Sequence, residues 1–233
     1  MIKLLIPILL IVGAVAWWKF RAQSSGLALR KGSRPLQNDQ LEGLFRKLAD
    51  AADVESVEVR VLPDRNPNGL ATDTGEIFVT QGFIDAFQRG DVTARELASV
   101  AAHEMGHLAL GHMKRRMLQV AGTQAAQLVL GGVLARLIPF VGGYLAVWLL
   151  GLITAKLSRK DEFEADAYAT ALMVRSGIGA EHQARLLEKL PELIPGAGAP
   201  RSWLASHPPS DERAAAIRQN AERWQGHAPQ LES

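Results

Sequence analysis

Residues 103–107 read HEMGH: two histidines four apart, with a glutamate directly after the first. On a helix, positions i and i+4 lie one above the other. His103 and His107 can then present two imidazole nitrogens to one zinc ion. Glu104 sits about 100° further around the helix, where it reaches a water on the open coordination position. Zinc lowers the pKa of that water, and Glu104 takes its proton. A catalytic zinc centre needs three protein ligands, and this stretch supplies two. The chain therefore has to fold so that a distant residue meets this helix.

The helix has a readable start. Thr93 followed by Glu96 is a capping-box pair, and the pattern carries the helix to about Arg116. Ala101, Ala102, Met105, Gly106 and Ala109 are small or apolar, as a buried active-site helix requires. A third ligand on the same segment would need Gly at 110 and His at 113; the chain has Leu110 and Met113. His112 is nine residues from His103, on the opposite face, and reads as a solvated or capping histidine. Arg95, Glu96 and Lys114–Arg116 bracket the motif, so this helix stands in water rather than in lipid.

The missing ligand must come from a second helix. Residues 158–166 read SRKDEFEAD. Glu162 and Asp166 share a face at i, i+4. That pairing offers a ligand, and a carboxylate that accepts the outer N–H of a zinc-bound histidine. Glu164 points elsewhere, and Asp161 reads as first-turn helix charge.

Between the two halves lies an apolar block, Leu118–Leu157, divided by Arg136 and Pro139. One reading is a transmembrane hairpin with Arg136–Pro139 at its tip. The other is a pair of apolar helices buried in the domain or dipping into the membrane surface. The second half, Leu137–Ala155, is uncharged and can span; Gln119, Gln124 and Gln127 make the first half a weaker spanner.

A second apolar segment, IKLLIPILLIVGAVAWW, opens the chain. Trp17, Trp18 and Lys19 form an interfacial belt, so residues 1–22 read as an uncleaved membrane anchor. The competing reading is a signal peptide cleaved after Ala14–Ala16. Lys19, Arg21, Arg30, Lys31 and Arg34 follow the anchor. By the positive-inside rule they place the catalytic domain in the cytoplasm of a bacterial inner-membrane-type protein, the alternative being the periplasmic face. The formal charge of +2 provides no basic field for nucleic acid. The absence of cysteine excludes disulfides and a thiolate zinc site.

The remaining elements predict a mainly α fold with a small β-sheet, an α+β zincin-like domain. A polar linker spans 23–35 and the peptidase domain 36–225, and 226–233 reads as a disordered tail. Helices are expected at about 36–52, from Phe83 to Arg89, from about Ser158 to Arg175, at 180–190, and from Ser210 to Gln225. Val57–Leu62 alternates as a half-buried strand, and Glu76–Thr80 is a second strand.

At this point the chain resembles the membrane zinc metallopeptidases that include the HtpX heat-shock protease and the CAAX prenyl proteases. HEMGH, SRKDEFEAD, SHPPSDER at 206–213 and, more loosely, NGLATDTGEIFVT at 68–80 occur in the family's order, over about Leu36–Gln219. Gly69, Leu70 and Asp73–Thr74 depart from the family pattern. The resemblance implies one Zn2+ per chain held by His103, His107 and Glu162, with Glu104 as base and Asp166 behind the ligands. It implies a substrate strand at Glu76, Ile77, Phe78, Val79 and Thr80, pairing with extended polypeptide. His207 and Arg213 would lie near the cleft as catalytic groups able to stabilise an oxyanion. A further expectation is that His207 reaches the open zinc position and holds the enzyme latent.

The function expected is that of a membrane-anchored zinc endopeptidase of misfolded or membrane proteins, with polypeptides and the lipid bilayer as partners. Rival readings are a non-proteolytic zinc-containing chaperone or scaffold, and a specialised CAAX prenyl protease. Oligomeric state is not legible.

Overall fold

The computed structural model describes residues 26–72, 74–193, 207 and 211–226. The expected anchor over 1–22, the tail beyond Gly226 and Ser210 lie outside the described residues. Strand β1 (Arg34–Pro35) is followed by helix α1 (Asp39–Ala52), β2 (Val59–Leu62), β3 (Gly69–Ala71) and β4 (Ile77–Thr80). Then come α2 (Gln81–Arg89), α3 (Ala94–Ala109), α4 (His112–Leu137), α5 (Gly142–Arg175), α6 (Glu181–Leu193) and α7 (Asp211–Gly226). The α+β expectation holds.

Local chemistry sets most boundaries. Asn38 caps α1 by accepting from the Leu41 N–H at 3.0 Å, and Leu41, Phe45 and Leu48 form its buried stripe. The α3 capping box forms as expected. Thr93 Oγ1 accepts from the Glu96 N–H at 3.2 Å, and Glu96 Oε2 accepts from the Thr93 N–H at 2.7 Å. The other Glu96 oxygen takes Lys189 Nζ at 2.7 Å, tying the start of α3 to α6. Nearly all of α3 is buried, so its surroundings are protein rather than water.

The sheet order is β1-β2-β4-β3. Strand β2 pairs parallel with β4, and β3 pairs antiparallel with β4. Arg60 on β2 is buried, not solvated, because the chain at Arg30–Ser33 folds over it. Its guanidinium donates to Ser33 Oγ at 2.9 Å and to the Arg30 and Ser33 carbonyls at 3.2 Å. Part of the expected linker is therefore structure: Arg34–Pro35 is the antiparallel edge strand on β2.

Two helix boundaries differ from expectation. The HEMGH helix ends at Ala109, and α4 begins at His112 after Gly111 at φ +66°. Glycine takes this left-handed geometry without the Cβ clash, so the turn breaks the helical wheel on which His112 was placed. The second metal-motif helix begins at Gly142 rather than near Ser158, because nothing between those residues interrupts it. The apolar block is accordingly a helical hairpin, α4 and α5, turning at 138–141. Among the described residues, α4 is the helix long and apolar enough to cross a membrane, by length and composition. The apolar part of α5 starts only at Gly142, because Leu137–Val141 are spent in the end of α4 and the turn. This reverses the expected ranking of the two halves.

Candidate metal centre

Helices α3 and α5 approach closely where the two motifs lie. A Cβ on Gly106 would stand 2.8 Å from the Ala165 carbonyl oxygen, so the glycine inside HEMGH permits the contact. That approach brings His103 and His107 against Glu162. His107 Nε2 lies 3.1 Å from His103 Nε2 and 3.5 Å from Glu162 Oε1, and His103 Nε2 lies 3.4 Å from Glu162 Oε2. His207 joins them, with Nδ1 3.3 Å from His103 Nε2 and 2.8 Å from Glu162 Oε2. Donor atoms of these four residues all lie within 4.8 Å of one another.

This set fits a divalent cation. Metal–ligand bonds of about 2.0–2.2 Å in a tetrahedron put donors about 3.3–3.6 Å apart, close to most of the spacings here. The charges agree. Glu104, Glu162 and Asp166 are buried together, with Arg213 buried against two of them. Its Nε donates to Asp166 Oδ2 at 2.6 Å, and NH1 lies 3.3 Å from Glu162 Oε2. Asp166 Oδ1 stands 3.0 Å from His103 Nδ1, the outer nitrogen, as the i, i+4 spacing anticipated.

Burial alone would push the His103 pKa down, but hydrogen bonds to Asp166 and Glu162 outweigh it and raise it to about 9. Burial works to raise the Glu162 pKa, yet the hydrogen bonds to His103 and His207 hold it far below the usual carboxylate range. Burial and the neighbouring His103 and His207 press His107 down to about 2, so its ring is neutral. The carboxylates that favour a proton on His103 equally favour a cation at the same place.

A cleft opens on this cluster, lined by Glu104, His107, Glu162 and His207, with Asn68–Ala71, Met113, Arg116 and Ser158 around it. His207 Nε2 is 3.6 Å from Glu104 Oε1. Arg213 does not face the cleft; it lies behind the donors on Asp166 and Glu162.

The expected substrate strand requires correction. Ile77–Thr80 is the interior strand β4, paired on both sides by β2 and β3 and fully buried, and Glu76 precedes it. Its backbone is already paired. The edge strand beside the cleft is β3, formed by the NGLA stretch that departs from the family pattern. His112 is also misplaced by the sequence reading: it is 3 % exposed, with Nδ1 2.8 Å from His107 Nδ1. Asp161, expected as first-turn helix charge, accepts from Arg115 Nη1 at 2.7 Å, and Glu164, expected to point elsewhere, accepts from the same nitrogen at 2.7 Å. The readable signal for these was Gly111, which breaks the helix and lets His112 return toward the motif.

Comparison with known proteins agrees with this geometry. The family model described as Peptidase family M48 matches residues 35–221. Over 179 residues the chain is 32% identical to Metalloprotease LoiP of Escherichia coli (strain K12), covering 77% of this chain and 68% of that protein. Metalloprotease YcaL of the same organism matches to the same extent. A putative beta-barrel assembly-enhancing protease of Vibrio cholerae is 27% identical over 198 residues, 82% of this chain and 40% of its own length. A metal-donor cluster on two helices and a family match across most of the chain lead to one conclusion: the chain belongs to peptidase family M48 and is a metallopeptidase.

Proposed function

We propose that the chain is a membrane-anchored zinc endopeptidase that cleaves misfolded or membrane proteins. The observation that carries the reading is Glu104 on the wall of an open cleft beside the His103, His107 and Glu162 donors. Nitrogen and carboxylate donors at tetrahedral spacing suit zinc. Bound there, zinc would supply Lewis-acid polarisation and an acidified water. Glu104 takes the proton of the attacking water and returns it to the leaving amine. Asp166 Oδ1, 3.0 Å from His103 Nδ1, favours the proton on that outer nitrogen and so keeps Nε2 directed at the metal. Strand β3, the edge strand beside the cleft among the described residues, can pair with an extended polypeptide, whose scissile carbonyl then lies over Glu104. His207 stands at donor distance, which supports the reading that it can fill the open position and hold the enzyme latent. An unchanged basal activity and unchanged metal coordination in His207→Ala would contradict that role.

The hairpin supports the membrane reading. Leu128 is 81 % exposed and Phe140, at the turn, 96 % exposed. Such a surface suits an apolar medium better than water. Lys114–Arg116 and Lys156–Lys160 gather at its base, as an interface on one side of a bilayer requires. The name of the Vibrio cholerae relative is compatible with substrates in a bacterial envelope. The activity is tested with the purified full chain in detergent, incubated with an unfolded polypeptide. Cleavage lost on chelation and restored by zinc is expected; cleavage indifferent to chelator would refute the reading. Protease accessibility of a C-terminal tag, in intact cells against spheroplasts, decides between the cytoplasmic and periplasmic faces.

A further inference from the structure

His112 lies outside the donor set but touches it. Its Nδ1 is 2.8 Å from His107 Nδ1, and its Nε2 is 3.2 Å from Glu164 Oε2. Glu164 Oε2 also accepts from the Arg115 guanidinium at 2.7 Å, and Lys160 Nζ lies 3.4 Å from Oε1, so the Glu164 oxygens act as acceptors. His112 Nε2–H therefore donates to Glu164. In a neutral imidazole the other nitrogen carries the lone pair, so His112 Nδ1 accepts from His107 Nδ1–H. His107 Nε2 is then unprotonated, and it is the nitrogen that faces Glu162 and His103.

We infer that His112, oriented by Glu164, is a positioning residue that fixes the tautomer and ring direction of the metal ligand His107. His103 receives the same service from Asp166, so each histidine ligand has its own outer partner. The arrangement does not favour a second cation among His112, Asp161 and Glu164. The Arg115 guanidinium already bridges both carboxylates, and His112 Nδ1 is turned toward His107. The relay also joins the first residue of α4 to α5, so it closes the base of the hairpin at the metal ligand itself.

This inference rests on the reading of His103, His107 and Glu162 as a metal site. The test is zinc affinity, measured by competition with a chromophoric chelator on the metal-stripped full chain. His112→Ala should weaken zinc binding by about 10- to 100-fold. His112→Asn, whose amide oxygen can accept from His107 Nδ1–H, should recover affinity to within about threefold of the parent chain. Glu164→Met, at a partly exposed site that tolerates replacement, should cost about tenfold. Unchanged affinity in Glu164→Met, or an asparagine variant as weak as the alanine one, would overturn the role. A parent chain that binds no zinc would instead bring down the metal site, and this inference with it.

Discussion

Helix α5 runs through two environments. Over its first half Tyr144, Trp148, Leu152 and Ile153 are exposed, while over its second half Asp161, Glu162 and Asp166 are buried. Apolar side chains stand outside and carboxylates inside, the reverse of a water-soluble helix. Each half is explained by what it faces. The buried carboxylates are sustained by Arg115, Arg213, the histidines and the cation they are shaped to hold. Among the described residues nothing covers the exposed apolar half, and a bilayer is the medium proposed above to cover it. One uninterrupted helix thus connects the metal-donor cluster to an exposed apolar surface.

The largest effect that would break this comparison is loss of the carboxylate ligand. Glu162→Ala should weaken zinc binding by about 4 kcal/mol or more, roughly a thousandfold, as measured by chelator competition. The hairpin's membrane affinity, read by flotation with vesicles, should not change. Next in size is Arg213→Met, which leaves Asp166 and Glu162 without their guanidinium. It should destabilise the metal-free chain by about 3 kcal/mol in chemical denaturation, because the carboxylates stay buried. Arg213 behaving as an oxyanion donor would instead show as lost turnover with intact stability.

The converse perturbation addresses the other half. Leu128→Arg should reduce vesicle binding by about 2–3 kcal/mol if the residue enters the hydrocarbon core, with zinc content unchanged. Equal vesicle binding would remove the hairpin from the membrane account. The smallest effect is a pH dependence. With its pKa raised to about 9, His103 is protonated in the metal-free chain below that pH and deprotonated above it. Zinc must displace this proton, so affinity should rise about tenfold per pH unit toward 9 and then level off. Calorimetry near neutral pH, in buffers of different ionisation heat, should find about one proton released per zinc.

The site was legible where spacing alone carries geometry. His103, His107, Glu162 and Asp166 follow from two i, i+4 pairs, and the structure brings them together. Three features were not legible, for physical reasons. The position of His112 depends on a left-handed residue at Gly111, which a continuous helical wheel erases. The interior place of β4 depends on strand order, and alternation of apolar residues does not reveal order. The early start of α5 follows from a missing breaker in the apolar block, which hides one long helix inside two apparent elements. The elements with caps and turn residues, α1, α2 and the start of α3, were placed to within a few residues.

The central claim is tested most directly by Glu104→Gln in the full chain, with metal content measured on the same sample as cleavage. The account predicts one zinc per chain, as in the parent, and cleavage of an unfolded polypeptide reduced by at least about a thousandfold. Cleavage retained at parental rate in metal-verified protein would contradict it.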